Sequence, residues 1–422
     1  MRLKKVMHVL LTLTMVLSIA GCQNSSSKKT TIEIISYKQE AATYFDKVAK
    51  EFNATHTDIK LKISSPNDAV TVMKTRFIRE DYPDIIGIGG DATFSEFVDA
   101  GILADISDFG DIKLIKKAYI DMLDQLEYVP TKGIYGLPYV ANASGILYNK
   151  DIFEEHGYKV PDTWNELMAL CEQMKNDGLL PFYFGYKDTW TTMAPWNSLA
   201  VSLAPANTTQ NVNAGKTTFT KEYDETAQKI KTLLKYGEKE VAAYGYNDAC
   251  TAFAKGQSAM YTIGSYAIPQ ILSSNPKMHI GSFVMPANND KNKNYLNSGI
   301  DLMFGVTKAC KNKKAAYTVL EYLLEKKNLQ KYINAQMSLP CRTGDFNLPK
   351  QFDDMRPWIE SGKMIDYQDH HYPSTMGCDA IVQSYLLKGD KKAFLAKWDK
   401  DWKRYNRDII RKVQEYNKTH QS

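Results

Sequence analysis

Apolar positions along this chain switch between a period of two and a period of about 3.6, and the switching predicts the architecture. Residues 32–37 (IEIISY) read as a short buried strand, and residues 41–55 carry Tyr44, Phe45, Val48, Ala49 and Phe52 on one helical face. Residues 59–63 alternate apolar side chains with lysine, and residues 84–89 (DIIGIG) are apolar up to a glycine. The order is β-α-β, which predicts an α/β protein with a largely parallel, helix-covered sheet. A second α/β set runs over residues 145–284, with strands predicted at 181–186, 259–263 and 280–284. The polar run 286–295 (PANNDKNKNY) interrupts the pattern, and residues 302–306 then read as another strand feeding a long helix at 313–335. Near the end, Phe394, Trp398, Trp402, Tyr405 and Ile409 recur at helical spacing, a stripe whose ordinary use is packing.

Composition narrows the class. With 422 residues, 44% hydrophobic and 24% charged, the chain can build two or three domain-sized cores and is neither a disordered nor a multi-span membrane protein. The formal charge of +5 includes Arg2, Lys4 and Lys5 in an acid-free leader; without residues 1–21 it falls to +2, too little to bind nucleic acid by charge alone. That leader has a basic start, an apolar stretch at 9–20 and the ending Ala20-Gly21-Cys22. A membrane helix needs about 20 apolar residues, so residues 1–21 read as a signal peptide. The ending resembles the bacterial lipobox, which implies a lipid on Cys22, the first residue of the mature chain, and a polar tether at 22–30. The other cysteines (Cys171, Cys250, Cys310, Cys341 and Cys378) show no CxxC and no regular spacing, so neither a disulfide framework nor a zinc site is signalled. Cys171 sits among Leu167, Leu170 and Met174 as a small core residue, and a single Cys341–Cys378 bridge stays open.

Several short motifs recur in one order. They are Glu51-Phe52-Asn53, Tyr82-Pro83-Asp84, residues 99–106 (DAGILADI), 133–139 (GIYGLPY), 147–153 (LYNKDIF), 161–167 (PDTWNEL), 253–260 (FAKGQSAM) with Gly264-Ser265-Tyr266, and 313–316 (KKAA). In this order they resemble family 1 of the bacterial extracellular solute-binding proteins, the carbohydrate receptors of ABC importers that include maltose-binding protein. The similarity runs from residue 31 to about residue 414. It implies a periplasmic-binding-protein-like fold of two α/β lobes, with residues 31–139 and 287–338 in the first and 140–286 and 339–422 in the second. It also implies a monomer, lipid-anchored outside the cytoplasmic membrane of a Gram-positive-type bacterium, that hands sugar to ABC permease subunits. The chain would cross between lobes near Tyr139, near 285–288 and around 336–344. The motifs also make local sense: Thr163 and Glu166 are spaced as a capping box, and Gly264-Ser265-Tyr266 follows a strand and opens a helix, where backbone N–H groups point at ligands.

A sugar ring has flat C–H faces and a rim of hydroxyls, so its receptor needs aromatic rings beside carboxylates or amides in strand-end loops. The candidates are Tyr37, Gln39, Asp91, Tyr139, Trp190, Trp196, Asn197, Ser265, Tyr266 and Asp301. The resemblance puts the family's stacking ring at Tyr266, where many relatives carry Trp. No cofactor is implied. A glycosidase would need two flanking carboxylates, for which Asp91 and Asp301 could serve, but no nucleophile motif accompanies them. A metal receptor would rest on Asp369-His370-His371 and Cys378, against which the ordinary alternative is a solvated histidine pair. A scaffold without a small ligand is the third alternative.

Overall fold

A computed structural model describes residues 29–420, so the expected leader, Cys22 and all but the end of the tether lie outside the described residues. No described helix is long and apolar enough to cross a membrane. The strands are β1 (Thr30–Ser36), β2 (Ile59–Ser64), β3 (Ile85–Ile88), β4 (Leu137–Ala141), β5 (Ile146–Asn149), β6 (Met260–Tyr261), β7 (Ile280–Phe283), β8 (Leu296–Asn297), β9 (Ile300–Val306), β10 (Leu339–Pro340) and β11 (Met364–Ile365). Six of them form one sheet in the order β10-β4-β9-β3-β1-β2, three form a second in the order β6-β5-β7, and β11 pairs with β8.

The first sheet is parallel only where β-α-β order dictates it. β1 runs parallel to β2 and β3, while β9 lies antiparallel between β3 and β4, and β10 is antiparallel to β4. The sheet expected to be largely parallel therefore has three antiparallel pairings out of five. A strand buried on both faces reads as the same apolar run in either direction, and β9 is buried along its whole length. The reversal matters for function. Because β9 runs backwards, its first residues, Ile300 and Asp301, come to the same edge as the ends of β1 and β3. Helix Ala42–Thr55 covers this sheet with Phe45, Val48 and Phe52. Each such side chain contributes about 1.5–3 kcal/mol on burial.

The second sheet carries the other lobe. Residues 181–186 are not a strand there; Phe182 makes one bridge to Met260, while the N–H groups of Phe184 and Gly185 go to the Glu238 carboxylate at 2.9 and 3.1 Å. Helix Trp164–Asn176 opens with the capping box formed by Thr163 and Glu166, and Cys171 is fully buried on its inner face. The long helix expected at 313–335 breaks at Glu325 into Lys313–Leu324 and Lys326–Gln336. The last aromatic stripe breaks too. Phe394, Trp398 and Trp402 are buried on Lys391–Tyr405, but the chain turns at Asn406 and helix Arg407–His420 buries nothing fully.

The chain leaves the first sheet for the second between β4 and β5 and returns to it between β7 and β9. Around the third crossing expected at 336–344, Leu339, Cys341, Phe346, Phe352, Met355 and Ile359 pack in the first core, and Tyr372 is the first of the later residues in the second. Cys341 and Cys378 thus sit in different cores, and the described cysteines are free thiols rather than a bridge.

Candidate functional site

The lobes meet over a cavity of about 380 Å³. The first sheet presents Tyr37 after β1, Gly89 and Asp91 after β3, and Ile300 and Asp301 at the start of β9. Asp91 caps helix Ala92–Asp99, its Oδ1 accepting the Thr93 N–H at 2.7 Å. Asp301 Oδ1 accepts from Lys38 Nζ at 2.7 Å and from Asn142 Nδ2 at 2.8 Å, and Tyr37 donates its hydroxyl to the Asp301 carbonyl. Burial works against the Lys38 charge, but Asp301 chiefly, then Tyr37 and Glu40, outweigh it and hold the ammonium well above its ordinary pKa. The Asp301 side chain is thereby fixed from behind.

The second lobe supplies Trp190, Asn197 and Tyr266. Trp190 is 42% exposed, an unusual amount of open indole, and its ring lies 6.2 Å from that of Tyr266. Gly264 makes room for Tyr266, since a Cβ there would collide with the tyrosine ring. Burial pushes the Tyr266 phenol up, so it stays a neutral donor.

Four candidates lie elsewhere. Tyr139 is fully buried on β4 of the first sheet, 5.2 Å from the Phe304 ring and 5.3 Å from Tyr332, with its hydroxyl 3.2 Å from that of Tyr44. Trp196 is fully buried in the second core, stacked 5.2 Å from Trp398 and donating its indole N–H to Tyr372 at 3.3 Å. Gln39 is exposed and reaches the Pro66 carbonyl at 3.4 Å. Ser265 is buried, and its backbone N–H is spent on the Ala143 carbonyl at 2.8 Å, so the expected outward donor is absent there.

The third wall is a segment that the ring-and-carboxylate criterion passes over, residues 367–379, which contribute Tyr367, Asp369, His370 and Asp379 among others. His370 stacks on Tyr367 at 4.8 Å and bonds Asp366 through Nδ1 at 2.9 Å. Partial burial disfavours its charge, but Asp366 prevails, with Asp369 and Asp91 behind it, and the pKa is pushed up to about 9. His371 goes the other way, pushed down to about 4 by burial. The histidines are therefore not a solvated pair, and among the described residues no group of three or more His, Cys, Asp or Glu could hold a metal ion. The Asp369 N–H donates to Asn197 Oδ1 at 3.2 Å, its Oδ1 has no partner, and burial raises its carboxyl pKa. Gly299 admits this segment, since a Cβ there would run into Asp366, Tyr367 and His370. The available signal was YQDHHYP at 367–373, two tyrosines around one aspartate and two histidines, a segment read there only as a metal-ligand alternative.

The wall as a whole offers ring faces and the carboxylates of Asp91, Asp301, Asp369 and Asp379, with no lysine or arginine. Such a surface holds a polyol by stacking and by accepting hydrogen bonds from its hydroxyls. The family model described as bacterial extracellular solute-binding protein matches residues 36–330 of this chain. The chain belongs to that family. Among its relatives, the multiple sugar-binding protein of Streptococcus mutans is 31% identical over 351 residues, covering 79% of this chain and 82% of that protein. An uncharacterized ABC transporter extracellular-binding protein of Pyrococcus horikoshii is 23% identical over 257 residues, 58% of this chain and 57% of its own. RafE of Streptococcus pneumoniae, in its apo form, superposes with a TM-score of 0.79 at 24% identity over 92% of this chain and 99% of its own. RafE in complex with raffinose gives 0.76 over 92% and 100%. These solved structures establish the two-lobe, periplasmic-binding-protein-like fold. The family and its neighbours are binding proteins that work outside the cytoplasm.

Proposed function

We propose that this protein captures a neutral sugar or oligosaccharide between its lobes and delivers it to the membrane permease of an ABC importer, without chemistry on the sugar. The observation that carries this is the interlobe cavity in which Tyr37, Trp190 and Tyr266 stand beside Asp91, Asp301 and Asn197. What the Streptococcus mutans relative and RafE bind, by their names, supports sugar as the ligand class. Lobe closure is the means: a ligand touching both walls stabilises the closed form by the contacts made only there. The lobe division we favour keeps 31–139 and 287–338 in the first lobe and adds 339–359, whose apolar side chains pack there. The mature protein is a monomer held by a lipid on Cys22 at the outer face of the membrane of a Gram-positive-type bacterium. We infer no cofactor, metal or nucleic-acid partner.

The test is a thermal-shift panel of mono- and oligosaccharides on the chain from Gln23 onward, with chromatography of each sugar afterwards. A ligand at 100 times its Kd should add about 2.7 kcal/mol of stability. Sugar returned uncut supports a receptor; cleavage products, or no stabilisation by any sugar, would overturn the proposal.

A further inference from the structure

We propose that the edge of the first lobe where β1 begins is a membrane-contact surface, which rests on the anionic headgroups of the bilayer holding the Cys22 lipid and keeps the interlobe cavity on the lobe's far side. This rests on the lipid-anchor reading above. Only residues 23–29 separate Cys22 from the start of β1, and so short a stretch spans at most about 30 Å. The first lobe is therefore held beside the bilayer. At its edge Thr30 donates its N–H to the Asp58 carbonyl at 2.9 Å, just before β2, and Asn312, which caps helix Lys313–Leu324, reaches the Thr30 hydroxyl at 3.5 Å. β1 and β3 run from this side of the sheet towards the cavity, which Tyr37 and Asp91 line just past their far ends. β9 returns to it, with Val306 opposite Ile85.

The side chains at this edge suit headgroups. Ile78 ends helix Ala69–Ile78 and is 85% exposed, the most open large apolar side chain among the described residues. Arg76 of that helix pairs with Glu33 of β1 at 2.8 Å, which places the helix end at the edge. Lys29, Lys60, Arg79, Lys308, Lys311 and Lys314 stand on the adjoining strands and turns, all exposed, and none has a carboxylate within ion-pair distance among the described residues. The carboxylates of the same edge are mostly engaged: Glu33 and Asp81 with Arg76, Asp108 with Lys313, Asp84 with the Glu33 N–H, and Asp105 with Ser107 and the Ile134 N–H. Asp58 and Glu80 are left, so the unpaired charge is positive. Near an anionic surface each lysine or arginine adds about fivefold to partitioning, within a Debye length of about 8 Å. Charge sited where the tether enters acts at the high local concentration the tether imposes, so contacts that are weak in free solution are enough to set the orientation.

Vesicle sedimentation of the chain from Gln23 onward tests the surface without the lipid. Vesicles of about one-third phosphatidylglycerol should bind it about 10-fold or more tighter than pure phosphatidylcholine, with the advantage fading between about 50 and 300 mM salt. Lys60→Glu, Lys311→Glu and Lys314→Glu combined should remove that advantage, and Ile78→Ser alone should cut binding about threefold, with the melting temperature unchanged in both. A matched triple on the second lobe's helix Lys391–Tyr405, Lys392→Glu with Lys400→Glu and Lys403→Glu, should leave it within about twofold. Equal binding to the two kinds of vesicle, an advantage that survives the edge triple, or an equal loss in the matched triple would overturn the contact surface and leave the Cys22 anchor standing. Binding of soluble poly(glycerol phosphate) as tight as that of vesicles would assign the edge to an anionic polymer and overturn it too. Mass spectrometry showing the mature chain without a lipid on Cys22 would overturn the anchor and, with it, the orientation.

Discussion

Trp190, Trp196 and Tyr266 belong to one class of candidate, and their surroundings divide them. Tyr266→Ala removes a ring on the cavity wall and should weaken sugar binding about 10-fold or more in calorimetry with little change in melting temperature. Trp196→Ala should do the reverse, costing about 3–5 kcal/mol in urea unfolding, because it empties a core site against Trp398. Equal effects of the two on binding would mean that the wall is misassigned. Even with His370 protonated and Asp301 paired to Lys38, the wall's carboxylates outnumber its cations, which gives a second expectation: a uronic acid should bind at least about 10-fold more weakly than its parent neutral sugar at neutral pH, since like charges repel across a partly dry site. The histidines give a third. His370 has a folded pKa of about 9, above the ordinary 6.5, so its stabilisation is complete below pH 6.5 and is lost as pH rises through about 9. His371, held near 4, stabilises above pH 6.5 and loses that contribution as pH falls towards 4. Thermal melts should show His370→Gln flattening the alkaline limb and His371→Gln the acid limb; limbs unchanged in both variants would contradict the assignment. Tyr37, Asp91 and Asp301 could be placed near the cleft from sequence because strand ends are legible, whereas Trp190 and Asn197, expected in a strand-end loop, reach it from the short helix Thr189–Thr192 and the helix Met193–Leu203. Tyr139 and Trp196 could not, since a ring beside a turn reads the same whether its neighbours cover it or leave it open.

At the level of elements, the strands and helices of the first α/β set were readable because period and length agree there. The misreadings have identifiable causes. Residues 181–186 alternate like a strand, and Phe182, Phe184 and Tyr186 do stack in a row, with successive rings 5.5 and 4.8 Å apart. Two of their N–H groups, however, go to a side chain some fifty positions away in sequence, and those of Phe182 and Tyr186 to the carbonyls of Tyr236 and Val241, which no local pattern announces. Glu238→Ala should orphan the N–H groups of Phe184 and Gly185 and cost about 1–3 kcal/mol, read as a lower urea midpoint at unchanged slope. An unchanged midpoint would show that water replaces the carboxylate without loss. The helix breaks at Glu325 and Asn406 were likewise invisible to a periodicity that continues across them.

For the molecule as a whole, the two-lobe plan followed from motif order; which core collects residues 339–359 is a matter of long-range packing that no local pattern carries. Scattering with and without saturating sugar should show a smaller radius of gyration in the bound state; an identical profile would count against closure. The interleaving has one more effect. β3 pairs on one side with β9, which follows it by more than two hundred residues and comes after the whole second sheet. On the ribosome, a nascent chain that has made β3 has no β9 to set against it, and the open strand edge is a template for wrong partners. Four strands of this sheet wait on the synthesis of the last two, β9 and β10, so the sheet can close only after residue 340 has left the ribosome.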